Sequence, residues 1–245
     1  MGYAQEKIMP YGNKTPKGKQ VERMFDNIAH SYDLLNHWLS FGIDKRWRRK
    51  TIDELKSLAH GDILDVATGT GDFAMLACRR LQSKKIVATD LSEGMMNVGR
   101  AKVKKAGMEK VITFQKEDCM QLSFADSSFD AVTVAYGVRN FQNLELGLRE
   151  MHRVLRVGGH AVILELCTPQ HFPMRQLFRI YSHVLMPALG FLISKDRRAY
   201  KYLPATMEVF PQGEEMQQIL QNCGYSRVSF RRFTFGLSTM YLAEK

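Results

Sequence analysis

The chain has 245 residues, a length that a single α/β domain with insertions accounts for. Its hydrophobic fraction of 45% and charged fraction of 24% are those of a globular protein and argue against a disordered or fibrous one. The formal net charge of +10 attracts nucleic acid, anionic lipid headgroups and phosphorylated substrates alike, so charge alone does not choose among these partners.

Cysteine and histidine positions disfavour disulfides and bound metals. The four cysteines stand far apart without a CxxC pair, and the seven histidines show no HExxH or mixed Cys/His spacing. We therefore expect no metal, and free thiols in a reducing cytoplasm. The first residues carry neither an apolar signal core nor a transit-peptide pattern, and the longest apolar run, 184–193, is about half of the roughly 20 residues that a membrane span needs.

The N-terminal region changes character near residue 20. Residues 1–20 are polar and rich in proline, glycine and lysine, which predicts a mobile tail. Beyond it, Val21, Met24 and Ile28 recur at helical spacing. The stretch 21–58 is therefore predicted to be a helical region that leads into the main domain.

Beyond Gly61, short apolar runs alternate with helical patterns, which is typical of βα units around a parallel sheet. Strands are predicted at 62–66, 85–89, 111–115, 130–135, 160–165, 226–233 and 237–243. Helices are predicted at 73–80, 93–106, 144–155 and 213–222, with a turn at Gly158 and Gly159 before the fifth strand. The last two strands should pair antiparallel at the sheet edge. One doubly wound α/β domain over 21–245, with a mainly parallel seven-stranded sheet, follows.

The stretch 166–203 interrupts this alternation where a sixth βα unit would begin. Inserts at this end of a sheet commonly build substrate sites. Apolar residues on one helical face lie near basic ones: Leu177, Tyr181, Val184, Leu185 and Leu189, with Arg175, Arg179, Lys195, Arg197, Arg198 and Lys201. Such a segment suits a membrane surface, and equally a helix packed on the sheet or a homodimer interface.

The strongest local motif is the segment 62–72, in which an apolar strand runs into a glycine loop and then a helix. The spacing of Gly69 and Gly71 also fits a GxGxxA dinucleotide fingerprint. Asp65 and Asp72, however, are unfavourable neighbours for a pyrophosphate and favourable ones for a cation. S-adenosylmethionine carries an ammonium and a sulfonium but no phosphate, so we predict that this cofactor binds here.

Acidic residues follow the next two predicted strands. Asp90 ends one strand, and Glu117, Asp118 and Cys119 follow the other. The carboxyl ends of parallel strands meet at one edge of the sheet, so these acids should face one pocket. The alternative is that Asp90 and Asp118 cap helices or turns.

Three further stretches carry a family resemblance. They are Tyr32-Asp33-Leu-Leu-Asn36-His37-Trp-Leu-Ser40-x-x-x-Asp44-x-x-Trp47, then Tyr136-Gly137-Val138-Arg139-Asn140, and Arg153-Val-Leu-Arg156-Val-Gly158-Gly159 leading to Glu165. From about Arg23 to the C-terminus the chain resembles the ubiquinone/menaquinone biosynthesis C-methyltransferases. It departs from the family pattern at Leu35, Asp44 and Cys167, where Met, His and Ser are common. The family pattern does not fix a histidine at His37.

The resemblance implies a Rossmann-like methyltransferase sheet with a helical N-terminal extension. It also implies that Thr70 and its glycines contact the methionine part of the cofactor, Asp90 the ribose, and Asp118 with Cys119 the adenine. For Cys119 the backbone N–H is the suitable contact. The cofactor-binding residues predicted in total are Asp65, Thr68, Gly69, Thr70, Gly71, Asp90, Leu91, Asp118, Cys119 and Ala135.

Methyl transfer to carbon requires an electron-rich ring, which the resembling family obtains from a reduced quinol that loses a phenolic proton. Arg139 is predicted to stabilise the phenolate, and four other residues to orient it or relay its proton: Tyr32, Asn36, His37 and Tyr136. Simpler roles compete with these. The tyrosines would only pack, His37 would be an exposed helix residue, and Arg139 would pair with an acid in the loop.

The quinol carries a polyisoprenoid tail, which implies an enzyme at the inner face of the bacterial cytoplasmic membrane. We expect demethylmenaquinol as the substrate, with a benzoquinol of the ubiquinone pathway as the alternative. A nucleic-acid methyltransferase would often show an Asn/Asp-Pro-Pro-aromatic motif where Ala135, Tyr136 and Gly137 stand, so no nucleic-acid partner is expected. A nicotinamide-dependent oxidoreductase and a non-catalytic binding module are the remaining alternatives.

Overall fold

The computed structural model describes residues 2–12, 15–58, 61–185 and 197–245, without the side chains of residues 35–37, 185 and 197–200. Its helices are α1 Lys17–Ile28, α2 Tyr32–Leu39, α3 Ile43–Asp53, α4 Asp72–Leu81, α5 Glu93–Lys105, α6 Leu144–Val154, α7 Met174–Ile180, α8 Arg197–Val209 and α9 Glu214–Asn222. Its strands are β1 Asp62–Val66, β2 Lys85–Asp90, β3 Ile112–Lys116, β4 Phe129–Ala135, β5 Leu155–Leu166, β6 Arg227–Phe233 and β7 Ser238–Glu244. Among the described helices, none is long and apolar enough to cross a bilayer.

The seven strands form one sheet in the order β3-β2-β1-β4-β5-β7-β6. Strands β1 to β5 run parallel, whereas β7 pairs antiparallel with both β5 and β6 and makes the antiparallel edge. The predicted doubly wound fold is thereby confirmed. Because β1 lies between β2 and β4, the strand order reverses there, and such switch points are where open α/β sheets bind ligands.

Helices cover both faces of the sheet, and the strand sequences show why. Along β1, Ile63 packs into one apolar cluster with Trp47 and Phe73, while its neighbour Leu64 packs into the other with Met151. Successive side chains of a strand point to opposite faces, so a run of consecutive apolar residues is buried on both sides. This explains why the parallel strands read as continuous apolar runs.

The predicted turn at Gly158 and Gly159 is wrong. Helix α6 ends at Val154 and β5 begins at the next residue. The glycines lie in an irregularity inside β5, where pairing with β4 passes from Leu155 directly to His160. Gly158 has φ 74°, and a Cβ at Gly159 would lie 2.8 Å from the carbonyl oxygen of Arg156, so the bulge accounts for both glycines.

Helical structure begins earlier than the sequence pattern indicates. Residues Ala4–Lys7 form a 3-10 turn, and α1 begins at Lys17, inside the segment predicted to be a mobile tail. The Lys17 side chain is buried, and its Nζ donates a hydrogen bond to the carbonyl oxygen of Gln5 at 2.6 Å. Burial lowers the pKa of Lys17 to about 8. Polar composition alone could not show this contact, and the mobility of the tail stays a prediction.

Candidate active site

The glycine loop after β1 is stabilised by the buried side chain of Asp65. This carboxylate is 1% exposed and accepts hydrogen bonds from the hydroxyls of Thr68 and Thr133, each at 2.6 Å. Burial raises the pKa of Asp65 to about 6, against the opposing effect of those two hydroxyls. Asp65 and Thr68 thus shape the loop, and neither lines the cavity that opens between this loop and helix α1. Their direct contact with a cofactor stays a prediction.

Thr70 joins the loop to helix α2. Its hydroxyl donates to Asp33 Oδ1 at 2.5 Å, and Lys102 Nζ donates to Asp33 Oδ2 at 2.6 Å and to Asp72. Gly71, with φ 78°, allows the close approach of Phe114, whose Cζ would lie 2.9 Å from a Cβ at this position. Thr70 and Gly71 are absent from the cavity lining, so their contact with the methionine part also stays a prediction.

Asp90, at the end of β2, also contacts the glycine loop. Its Oδ2 accepts the backbone N–H of Gly69 at 2.8 Å, and its Oδ1 accepts that of Ser92 at 2.9 Å. Burial raises the pKa of Asp90, and the backbone donors oppose that effect. A carboxylate oxygen has more than one acceptor site, so Asp90 can still accept from the two hydroxyls of a ribose.

A cavity opens between this loop and helix α1. Six residues predicted to bind the cofactor line it: Gly69, Asp90, Leu91, Asp118, Cys119 and Ala135. The described lining contains four acidic residues, which are Glu22, Asp90, Glu117 and Asp118. It contains no lysine or arginine. An acidic lining suits the sulfonium and ammonium of S-adenosylmethionine and disfavours a pyrophosphate. The residues present therefore fit this cofactor and argue against a nicotinamide dinucleotide.

Helix α1 contributes a wall of this cavity that sequence analysis did not assign to the site. Gly18, Val21, Glu22 and Phe25 recur at helical spacing and all line the cavity. Their spacing was visible in the sequence as a helical face. What that face covers depends on how α1 packs against α5, which no local pattern reveals.

A second cavity, of about 500 Å³, adjoins the first. The two share Phe25, Tyr32, Tyr136 and Asn140, which form a common wall. The remaining lining is mainly apolar. Most of it comes from α1, the α2–α3 segment, residues 174–181 and α8, and includes Met24, Ile28, Leu39, Phe41, Ile43, Trp47, Leu177, Phe178, Tyr181, Tyr202, Leu203 and Met207. Of the predicted catalytic residues, Tyr32, Tyr136 and Arg139 line this cavity. The side chains of Asn36 and His37 lie outside the described residues.

Arg139 lines the second cavity and forms a buried ion pair with Glu165. Its Nη1 donates to Glu165 Oε1 at 2.5 Å and to the carbonyl oxygen of Tyr136 at 2.8 Å, and its backbone N–H donates to Glu165 Oε2. Burial tends to lower the pKa of Arg139, but the Glu165 carboxylate outweighs it and the pKa is raised. The partner acid therefore comes from β5, not from the loop. Glu165 ends one of the three stretches that carry the family resemblance, but no catalytic or binding role was predicted for it.

Two further residues of the cavity were missed by sequence analysis. Asp44 is 3% exposed, accepts a hydrogen bond from Ser40 Oγ at 2.7 Å, and lies 3.6 Å from Arg48 Nε. Asn140 lines both cavities, and its buried Oδ1 has no hydrogen-bond partner among the described residues. Both residues stand in motifs that carry the family resemblance, and only the fold brings them together.

A doubly wound sheet with an acidic ligand cavity at its switch point fits the class of S-adenosylmethionine-dependent methyltransferases. Within that class, the chain belongs to the ubiE/COQ5 methyltransferase family, whose profile matches residues 13–245. The predicted family, enzyme class and cofactor are thereby confirmed.

Relatives of known name agree with this assignment. The demethylmenaquinone methyltransferase of Bacteroides fragilis is 60% identical over 245 residues, covering 100% of both chains. That of Porphyromonas gingivalis is 45% identical over 241 residues, covering 98% of each. The ubiquinone/menaquinone biosynthesis C-methyltransferase UbiE of Geotalea uraniireducens is 42% identical over 232 residues, covering 94% of this chain and 98% of its own.

Solved structures share the fold at low sequence identity. A SAM-dependent methyltransferase of Thermotoga maritima superposes with a TM-score of 0.64 at 16% identity, covering 91% of this chain and 99% of its own. One from Aquifex aeolicus gives a TM-score of 0.57 at 18% identity, covering 80% and 88%. At such identities the likeness extends to the fold alone.

Proposed function

We propose that this protein transfers the methyl group of S-adenosylmethionine to a ring carbon of demethylmenaquinol. The observation that carries the proposal is the wall shared by an acidic cofactor cavity and a large apolar cavity. A flat, apolar ring in the second cavity would place its edge beside a methyl donor in the first. The relatives from Bacteroides fragilis and Porphyromonas gingivalis, both named demethylmenaquinone methyltransferases, support the naphthoquinol ring.

The bound cofactor supplies an electrophilic methyl group, and the protein positions the ring and excludes water. Phe25 and Tyr32 would hold the ring face, while the Arg139 guanidinium would stabilise the phenolate oxygen as negative charge develops. Asn140 Oδ1, which is buried and has no hydrogen-bond partner in the described part of the chain, would accept a hydrogen bond from a quinol hydroxyl after a side-chain rotation.

The tyrosines of this cavity suit hydrogen-bond donation rather than proton acceptance. Burial raises the pKa of Tyr136 and of Tyr202 far above the usual value, and raises that of Tyr181 to about 12. Each phenol therefore keeps its proton at neutral pH. In our proposal Tyr136 orients the ring, and the predicted proton relay through it is not required.

The proposed function is tested by incubating the protein with labelled S-adenosylmethionine and a short-chain demethylmenaquinol under reducing conditions. The matching benzoquinol and bulk RNA serve as parallel acceptors. We expect label in the naphthoquinol. Label in the benzoquinol alone would replace the naphthoquinol by a ubiquinone-pathway substrate, and label in RNA alone would reject a quinol substrate.

We also propose that the mouth of the apolar cavity contacts the inner face of the cytoplasmic membrane. Phe41 and Leu177 line the cavity yet are 87% and 56% exposed, so the mouth lies between the α2–α3 segment and α7. Further apolar side chains and cations are exposed on these segments: Leu34, Trp38, Ile180 and Val184, with Lys45, Arg46, Arg49, Arg175 and Arg179. Together they suit an anionic bilayer into which a prenyl tail extends. Of the segment predicted to face lipid, Leu189 and Lys195 lie outside the described residues, as do the side chains of Leu185, Arg197 and Arg198.

Replacing Trp38 and Phe41 by serine is expected to weaken binding to vesicles of phosphatidylglycerol and phosphatidylcholine at least tenfold. Transfer of each aromatic side chain from the bilayer to water costs about 1.5–3 kcal/mol. Vesicle sedimentation measures the change. Val157→Ser is the matched control, because Val157 is 87% exposed at the opposite end of β5. Unchanged sedimentation with loss of a dimer in size-exclusion chromatography would identify the surface as a subunit interface.

A further inference from the structure

We infer that Asp44 is the general base that accepts the phenolic proton of the ring as the methyl group is transferred. The inference rests on the proposed function, since it concerns the second cavity with an aromatic substrate in it. Asp44 is the only carboxylate among the described residues that line this cavity.

The position of Asp44 is defined by its neighbours. Ser40 Oγ donates to its Oδ1 at 2.7 Å, and Arg48 lies 3.6 Å from its Oδ2. The Arg48 guanidinium also lies 4.8 Å from the ring centre of Tyr136, in the wall shared with the cofactor cavity. Arg48 thus connects Asp44 to Tyr136, a residue that lines both cavities.

The other polar groups of the cavity do not suit this role. Arg139 is a cation, Asn140 is a neutral amide, and the buried tyrosines keep their protons. Glu165 is fully buried behind Arg139, and its Oε1 also accepts the backbone N–H of Leu166 at 2.8 Å. Among the described residues of the lining, Asp44 is therefore the carboxylate that can receive a proton.

Asp44 takes the proton of the ring hydroxyl, and the oxygen's electron pair moves into the ring. The adjacent ring carbon uses an electron pair to bond the methyl carbon, while the pair of the breaking sulfur–carbon bond stays with sulfur. The methylated carbon then loses its hydrogen to water as a proton, and the Asp44 carboxyl returns its proton to the oxygen. One proton is released per methyl transferred, without an oxidant.

The test compares Asp44→Asn with the unaltered protein in the quinol assay. We expect kcat to fall by about 10²- to 10⁴-fold at pH 7, the usual contribution of a general base. The dissociation constant of S-adenosylhomocysteine should stay within twofold. Because hydroxide must then ionise the quinol, the rate of the variant should rise about tenfold per pH unit. A kcat within threefold of the unaltered protein, or a loss that does not respond to pH, would overturn the inference.

Asp44→His provides a second readout. An imidazole at this position can also accept a proton, so we expect activity that declines below about pH 6.5 as the ring becomes protonated. Activity equal to that of Asp44→Asn would contradict a proton-accepting role. If the unaltered protein methylates no quinol, the proposed function fails. If it does and both variants keep the activity and pH profile of the unaltered protein, only the inference fails.

Discussion

Glu165→Leu is expected to lower the free energy of unfolding by about 3–5 kcal/mol, because it leaves the Arg139 guanidinium buried without its counter-ion. Both side chains are almost inaccessible, at 7% and 0% exposure, so water cannot replace the lost carboxylate. The backbone N–H of Arg139 loses its acceptor too. Urea unfolding followed by circular dichroism measures the change.

The double variant Arg139→Met with Glu165→Leu is the matched control. Replacing both members of a buried ion pair by apolar side chains is often neutral or stabilising, so most of the lost stability should return. Methyl transfer should not return, because the cation proposed to stabilise the phenolate is absent. A single Glu165→Leu variant within 1 kcal/mol of the unaltered protein would show that the pair is not needed for stability.

Asp90→Ala is expected to weaken binding of S-adenosylhomocysteine by about 10²- to 10⁴-fold. Two hydrogen bonds from ribose hydroxyls to a carboxylate contribute about 1.5–3 kcal/mol each. The variant also removes the acceptor of the Gly69 N–H, which sets the loop conformation. Isothermal titration calorimetry measures the affinity.

Asp130→Ala is the control for this effect. Asp130 Oδ2 accepts the backbone N–H groups of Gly61 and Asp62 at 2.9 and 2.8 Å, in the manner of Asp90, but it lies at the amino end of β4. Its removal should leave the affinity unchanged while lowering stability. Equal losses of affinity in both variants would mean that Asp90 acts on the fold rather than on the ligand.

Much of the fold could be predicted because its signals are local. Strand β1 has the predicted bounds, since a short apolar run ended by a glycine loop has few alternatives. The positions of Asp90 and Asp118 at the carboxyl-terminal edge of the sheet could be predicted from the parallel arrangement of the strands alone. Strand β5 begins five residues before its predicted start, because two glycines suggest a turn and a bulge equally well.

The sequence by itself determined the α/β alternation, the glycine loop and the acids at the strand ends, because each depends on residues a few positions apart. The tertiary structure alone decided which distant side chains meet. Glu22 and Asp90 line one cavity only because α1 packs on α5, and Glu165 neutralises Arg139 only because β5 lies beside β4. Asp44 becomes the carboxylate of an apolar cavity because residues of α1, α7 and α8 surround the same space. Such contacts are set by burial and charge compensation between elements, which periodicity along the chain does not encode.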